Sequence, residues 1–438
     1  MEKRVEGFSR LSKEEKIQWI SEAYFKDQKS SQKQLAAYQN NDPLLQKRHD
    51  EFIENTLTNF YLPFGVAPNF VINGNQYALP MAIEESSVVA AACKSAKFWG
   101  ERGGFKARVI STEKVGQVHF LFDGSTEKIK TFFTTHKAAL LASTSTLTRS
   151  MEKRGGGIEG IDLIDKTDVL PNYFQLHVRF QTVDAMGANF INSCLEQLAT
   201  CLKELALKQT DFSDDERNIE VVMSILSNYV PHCLVEAKVS CPIENLGEHD
   251  GVSPNHFAQK FIQALQIADG EPYRAVTHNK GIMNGVDALV IATGNDFRAV
   301  EAGVHSYAAR SGQYRSLSEA RIKDGNFEFW LTLPLALGTV GGLTKLHPMV
   351  GWSMELLGHP NAKELMKITA VAGLAQNFAA LRSLVTSGIQ KGHMKMHLLN
   401  ILNLYHASAV QKIKAVEFFK LNTVTTSAVQ DFISQNPD

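Results

Sequence analysis

A mixed α/β protein of more than one domain is what this sequence predicts, and three observations predict it. At 438 residues the chain exceeds what one ordinary hydrophobic core accommodates, so two or three domains are expected. Strand-type and helix-type apolar patterns alternate along it, with no internal repeats or low-complexity tracts. The glycine pair Gly103-Gly104 reads as a hinge into a smaller unit, and from about Ile219 the chain reads as returning to the larger one. The larger unit is therefore discontinuous in sequence. The expected division is 1–105 and 215–387 for the large unit, 106–214 for the inserted one, and 388–438 for a C-terminal segment.

Composition narrows the classes. Hydrophobic residues make up 44% and charged residues 21%, the balance of a soluble globular protein. Lys plus Arg number 45 against 46 Asp plus Glu, a net charge of -1 that gives no reason to expect nucleic acid or an anionic membrane as partner. The start, MEKRVEGFSRLSKEEK, lacks the apolar core of a signal peptide. No uncharged apolar run approaches the ~20 residues of a transmembrane helix. Cys93, Cys194, Cys201, Cys233 and Cys241 are odd in number and form no CxxC pair. They read as small buried hydrophobes in a reducing cytoplasm, with no metal site.

The elements follow in order. Ser12 to Glu15 has the spacing of a capping box and opens a helix through Ile17 and Ile20. Lys26 to Asn41 is polar and expected to be exposed. Around Asn69 the pattern turns to strands, with Asn73-Gly74 a hairpin turn before QYALPMAI. Glu84-Glu85-Ser86-Ser87 then leads into a helix of small residues, Val88 to Trp99, where acids and serines read as ordinary capping. The inserted unit has a strand at Gln117 to Asp123, a helix through Thr148, the glycine run Gly155-Gly156-Gly157 and a strand at Tyr173 to Val183. The block DAMGAN (184–189) follows, then a helix with Ile191, Cys194, Leu195, Leu198, Leu202 and Leu205 on one face. A glycine-bearing turn into a helix presents backbone N–H groups to an anion such as a pyrophosphate, although most such turns bind nothing. No GxGxxG follows a strand and no P-loop occurs, so the common nucleotide folds lack support.

The stretch from His278 to Arg310 carries the densest signal. Ala288 to Ala292 is apolar and β-branched and reads as a buried strand, which places Lys280 in a polar, glycine-containing loop before it. Thr293-Gly294-Asn295 breaks the run, and Phe297 to Arg310 has helical spacing, so Asp296 stands where the strand gives way to a helix. Loops mounted on rigid elements carry chemistry. The plainer alternative is that Asn295 or Asp296 caps the helix and Lys280 is solvated. GTVGGLTK (338–345) reads equally as a ligand loop or a tight turn. A helix from Ala370 to Ser387 ends at Gly388, and the C-terminal segment has helical spacing at Val410, Ile413, Val416 and Phe419.

KGIMNG followed by ATGNDFRAVEAG resembles the core of the class II 3-hydroxy-3-methylglutaryl-CoA (HMG-CoA) reductases, the soluble bacterial form. PMAIEESSVVAAA, DAMGAN and GLAQN…GIQKGHM occur in the family's order, and the similarity covers nearly the whole chain. Two departures stand out. Glu54-Asn55 is followed by Thr56-Leu57-Thr58, where the family reads V-I-G, and Ser86 replaces a usual proline. The resemblance implies a large substrate domain, a small ferredoxin-like, non-Rossmann cofactor domain inserted into it, and a helical C-terminal flap. It also implies reduction of HMG-CoA to mevalonate and free coenzyme A with two nicotinamide equivalents, in a cytoplasmic homodimer whose active site lies between subunits. Alternatives left open are the same enzyme oxidising mevalonate, and a non-catalytic CoA- or dinucleotide-binding homologue.

Residue roles come with the resemblance. Lys280 is implied to neutralise the developing oxyanion, and Asp296 to pair with Lys280. Glu85 is implied to donate a proton, which calls for burial or a neighbouring carboxylate, and His393 to protonate the departing thiolate. Ser87, Arg274 and Asn284 are implied to hold the substrate, and Asp184, Met186, Gly187 and Asn189 the cofactor. NAD-using relatives carry an acidic residue seven positions before the glycine run, which is Thr148 here. With Arg149, Lys153 and Arg154 close by, NADPH is expected over NADH.

Overall fold

In the computed structural model, which describes residues 3–342, 346–386, 388, 398–420 and 422–437, the alternating patterns resolve into a hairpin, two four-stranded sheets and the helices packed on them. The amino-terminal helix α1 (Lys13–Tyr24) starts at a complete Ser12/Glu15 capping box. Polar α2 (Gln28–Ala37) and α3 (Pro43–Asp50) follow. Strands β1 (Phe64–Ile72) and β2 (Asn75–Ala82) form the expected hairpin, with Asn73 at φ 51° and Gly74 at φ 90°. Two consecutive positive φ values are what a right-twisted two-residue turn demands. α4 (Val88–Gly100) packs its small-residue face on this hairpin.

The larger sheet has the order β3-β8-β10-β9, from β3 (Lys106–Val109), β8 (Leu234–Pro242), β9 (Ser318–Lys323) and β10 (Asn326–Pro334), all antiparallel. Its inner face meets α9 (Pro254–Gly270) and α13 (Ala362–Val385) in the main core, around Phe261, Phe327, Phe329 and Phe378. By length and composition α13 is long and apolar enough to cross a membrane, yet 72% of its most apolar window is buried inside the protein. Its hydropathy is that of a core helix.

The smaller sheet has the order β5-β6-β4-β7, from β4 (Lys114–Leu121), β5 (Gly157–Asp165), β6 (Tyr173–Gln181) and β7 (Glu220–Leu226). Helices α5 (Thr126–Ser143), α6 (Ser145–Glu152) and α7 (Ala188–Leu207) join them as β-α-β-β-α-β. One sheet face (Val118, Phe120, Leu176, Val178) packs on Ile191, Leu195 and Leu198 of α7, a second core. Short α8 (Asp214–Arg217) precedes β7. The expected boundaries shift at both ends. β3 begins at Lys106 but pairs with β8 of the larger sheet, and β7 lies beyond 214 but pairs with β4 of the smaller one. Pairing partners far away in sequence decide this, and a local pattern does not contain them.

The largest correction concerns the central stretch. Lys280 and the apolar run Ala288 to Ala292 belong to one helix, α10 (Pro272–Ala292), and no strand is present there. The run reads as a strand because this end of α10 is buried on most sides, so the 3.6-residue period is erased. Glycines suggested a loop, but Gly285 is there for packing: a Cβ would fall 2.4 Å from the Ala372 carbonyl oxygen of α13. α11 (Phe297–Ala308) follows as expected, and α12 (Pro348–Leu356) precedes α13. In the C-terminal segment a third core gathers Leu402, Ala415, Phe419 and Phe432. The helix Ala409–Phe418 forms; of the expected stripe Phe419 is buried and Val416 packs against the core, while Val410 and Ile413 are exposed and Gln411 and Ala415 are buried in their place.

Candidate active site

A cavity of about 930 Å³ opens where α4, α10 and α13 meet, within the range of about 300–1,000 Å³ usual for small-molecule sites. α4 contributes its start. Ser87 stands at the N-cap with φ 75° and its side chain makes no capping bond, so the simple capping role is not what it performs. A non-glycine residue held in the left-handed region is strained by about 1–3 kcal/mol, and such strain persists where the surroundings over-determine it. Glu85, Ser86 and Ser87 all line the cavity.

From α10 come Arg274, Thr277, His278, Gly281 and Asn284, one stripe at helical spacing, with Lys280 on its flank. Glu271 caps this helix, accepting from Tyr273 N at 3.1 Å and Arg274 N at 2.7 Å. Partial burial pulls the Arg274 guanidinium below its ordinary range. Lys280 Nζ meets Glu85 Oε2 at 2.5 Å, an ion pair across 195 positions of chain. Glu85 thus has a cation as neighbour, where a carboxylate or full burial was expected, and its side chain is 39% exposed.

The expected Lys280–Asp296 pair does not form within the chain. Asp296 caps α11, accepting from Arg298 N at 3.0 Å and Ala299 N at 3.1 Å, and lies 3.6 Å from the Arg298 guanidinium. The helical path from Lys280 to Ala292 rises about 18 Å, beyond any side-chain reach. His393 lies outside the described residues, as does Lys345 of the GTVGGLTK loop.

Three cavity groups have no role in the sequence reading. His278, buried beside Lys280, shares its Nε2 with Ser318 Oγ at 2.7 Å, and Ser318 Oγ donates to Asn377 Oδ1 at 2.7 Å. The hydroxyl proton is committed to Asn377, so Ser318 accepts from Nε2–H, and Nδ1 is the unprotonated nitrogen. Burial, helped by the Arg274 charge, pulls His278 down to about 3 and keeps it neutral. His278 Nδ1 and Gln376 Oε1 have no hydrogen-bond partner among the described residues. The signal was in the sequence, since His278 is one helical turn from Arg274 and Gln376-Asn377 belong to a quoted block, but the loop assignment hid it.

The other blocks converge at a second place. Gly187 begins α7 at φ 97°, where a Cβ would fall 2.5 Å from Thr182 Cγ2. Thr339 N donates to Asp184 O at 2.8 Å, Gly338 N to Asn295 Oδ1 at 2.8 Å, and a Cβ on Gly338 would fall 2.4 Å from Met186 N. The start of GTVGG is therefore packed on the DAMGAN turn backbone to backbone and is tied to the ATGND break through the Asn295 side chain. Asp184 Oδ1 accepts from Ala362 N at 2.9 Å, so this carboxylate is directed at the start of α13. Met186 borders a small cavity beside Lys114, and Asn189 lies in the first turn of α7. Thr148 is 2% exposed on the inner side of α6, whereas Arg149, Lys153 and Arg154 are exposed. Thr58, where the family has glycine, is accommodated: its backbone is not left-handed and its hydroxyl donates to Leu35 O at 2.8 Å. Among the described residues no group of three or more His, Cys, Asp or Glu could hold a metal ion.

Comparison with known proteins bears on this arrangement. Residues 12–398 match the family described as hydroxymethylglutaryl-coenzyme A reductase. The 3-hydroxy-3-methylglutaryl-coenzyme A reductase of Archaeoglobus fulgidus is 35% identical over 421 residues, 95% of this chain and 91% of the relative. A probable reductase of the same name from Borreliella burgdorferi is 34% identical, over 84% and 83%. The class II enzyme of Streptococcus pneumoniae bound to NADPH in open conformations superposes with a TM-score of 0.71 at 35% identity, over 87% of this chain and 99% of that one. A further structure of the S. pneumoniae reductase covers 98% of this chain with a TM-score of 0.72. With its mixed α/β fold and the motif residues gathered at one cavity and one turn, the chain belongs to the hydroxymethylglutaryl-coenzyme A reductase family, as a class II oxidoreductase.

Proposed function

We propose that the chain reduces (S)-HMG-CoA to mevalonate and free coenzyme A at the α4–α10–α13 cavity, with NADPH seated against the DAMGAN turn. The observation that carries the reading is the Lys280–Glu85 pair at 2.5 Å, a cation and a proton carrier side by side at a cavity of substrate size. Two NADPH molecules, bound in turn, would supply one hydride to the thioester and one to the aldehyde that follows. Each transfer leaves charge on the carbonyl oxygen, and Lys280 is the fixed cation that stabilises it. Glu85 passes the proton that this oxygen takes up. Arg274 binds the free carboxylate of the glutaryl end, for which a planar guanidinium is suited, with Ser87 and Asn284 as hydrogen-bonding neighbours. His393, near neutrality in its ordinary range, protonates the leaving thiolate from the C-terminal flap.

The smaller unit, with its β-α-β-β-α-β order, is read as a ferredoxin-like cofactor domain inserted in the substrate domain. Gly187 at φ 97° and the N–H groups opening α7, which have no intrahelical partner, fit a pyrophosphate, and exposed Arg149, Lys153 and Arg154 fit the extra phosphate of NADPH. Because Asp296 is out of reach of Lys280 in its own chain, we assign it to the neighbouring active site of a homodimer. Five free cysteines suit a reducing cytoplasm. Spectrophotometry of the purified protein with HMG-CoA tests the reading: two NADPH consumed per mevalonate formed supports it, and no NADPH consumption at saturating HMG-CoA ends it.

A further inference from the structure

We propose that Lys114 is a positioning residue for the dinucleotide: its buried ammonium holds the 184–189 turn from inside and places a positive charge beneath the anion seat. The proposal rests on the reading that this turn seats the pyrophosphate of NADPH.

Lys114 is the first residue of β4 and is 5% exposed. Its Nζ donates to Ala185 O at 2.8 Å and to Thr182 Oγ1 at 2.5 Å, and Thr182 Oγ1 itself donates to Ala185 O at 2.6 Å. Two donors thus draw the Ala185 carbonyl inward. In a planar trans peptide the following N–H, that of Met186, points the opposite way, towards Gly338, where a Cβ would lie 2.4 Å from the nitrogen. Gly187 then turns the chain into α7, whose opening N–H groups have no intrahelical partner. The inward carbonyl fixes the path of the turn into α7, whose opening N–H groups form the donor surface, and Lys114 holds the turn in that orientation.

The charge has no counter-ion among the described residues. Among the described residues no carboxylate forms an ion pair with Lys114. The Asp184 carboxylate, nearest in sequence to the turn, is engaged by Ala362 N. Cys233, which faces Lys114 from the start of β8, is a thiol that burial pushes up to about 11, so it offers no negative charge. Across the small cavity stand apolar Ile191 of α7, Leu226 of β7, Val300 of α11 and Pro334 of β10, with Ser227 and Asn228 as polar but uncharged neighbours. A buried charge without a partner is unfavourable, and an anion on the far side of the turn compensates it. Burial pulls Lys114 down to about 8 in the free protein. A bound phosphate favours the charged form, so binding in mildly alkaline solution takes up a proton.

Calorimetric titration of the full-length protein with NADPH tests this, in paired buffers of different ionisation enthalpy. Expected are proton uptake on binding near pH ~8 and a Kd that weakens about tenfold between pH ~7 and pH ~9, one unit of coupling. Lys114→Met should weaken NADPH binding at neutral pH by a similar factor and abolish the uptake, while leaving HMG-CoA binding unchanged. Lys114→Arg, which keeps the charge, should restore binding and remove the alkaline weakening. A wild-type Kd that is flat over this range without proton uptake overturns the proposal, and so does wild-type affinity in Lys114→Met. If the methionine variant does not fold, the wild-type pH series alone decides. Gly187→Ala separates the proposal from the reading beneath it, because its strained backbone must weaken NADPH at every pH. Normal NADPH binding by Gly187→Ala sinks the seat itself. Weakening there but not in Lys114→Met sinks only the role of Lys114.

Discussion

Lys280 is where the charge of the proposed reaction and the fold are least entangled. Its side chain is 59% exposed, so Lys280→Ala leaves no cavity and only frees Glu85 to water. Loss of a preorganised cation at an oxyanion costs at least ~10²-fold in turnover, with an unchanged melting temperature. Near-normal kcat in a well-folded Lys280→Ala protein would end the mechanism. Asp287, two turns further along α10, behaves differently. Burial and the adjacent Glu301 carboxylate raise it well above the usual carboxylate range, while His305 hydrogen-bonds to Glu301 and lowers it, so the pair keeps a proton on Asp287. A group whose folded value is raised stabilises most below its unfolded value and loses that contribution as pH climbs towards the folded one. Asp287→Asn mimics the protonated form, so its melting temperature should fall less than that of the wild type between pH ~5 and ~9. Parallel curves for the two proteins would show that Asp287 does not hold the proton.

Helix α10 positions most of the cavity through its contact with α13. Gly285 lies against the Ala372 carbonyl, and a Cβ on Gly373 would meet Val286 Cγ2 at 2.9 Å, so the two helices touch at glycines from both sides. Gly285→Ala must push the backbones apart, since its first contact at 2.4 Å is a main-chain oxygen. The expected loss is about 1–3 kcal/mol in urea unfolding, with a raised KM for HMG-CoA because Asn284 and Gln376 separate. A variant as stable as the wild type would mean that the α10–α13 spacing is soft.

For the whole molecule, the separation of Asp296 from Lys280 makes the subunit count a functional matter. Lys280→Ala and Asp296→Ala should each be inactive alone. Co-expressed, half the dimers are mixed and one of their two sites carries both residues, so about a quarter of wild-type activity returns in a symmetric homodimer. No recovery in demonstrably mixed dimers would place Lys280 and Asp296 in one chain's site and remove the argument for a shared one.

The sequence by itself determined the local and the chemical features. The Ser12 capping box, the Asn73-Gly74 hairpin and the α7 stripe are written in a few adjacent residues, and short-range sterics and hydrogen bonding produce them without outside help. The motif blocks, and hence the family, were legible because chemistry demands particular side chains in order. Tertiary structure alone decided what depends on distant partners. α10 looked like a loop and a strand because its glycines answer to α13 and its apolar end is buried all round. β3 and β7 change sheets relative to expectation because pairing, and no local signal, assigns a strand to a sheet. Thr148 was chosen by its distance from the glycine run, yet the amphipathic packing of α6 buries it. Lys114 gave no sequence signal of its own, and that of His278 was hidden by the loop assignment, for a buried polar group acquires its meaning only from what the fold brings within ~3 Å of it.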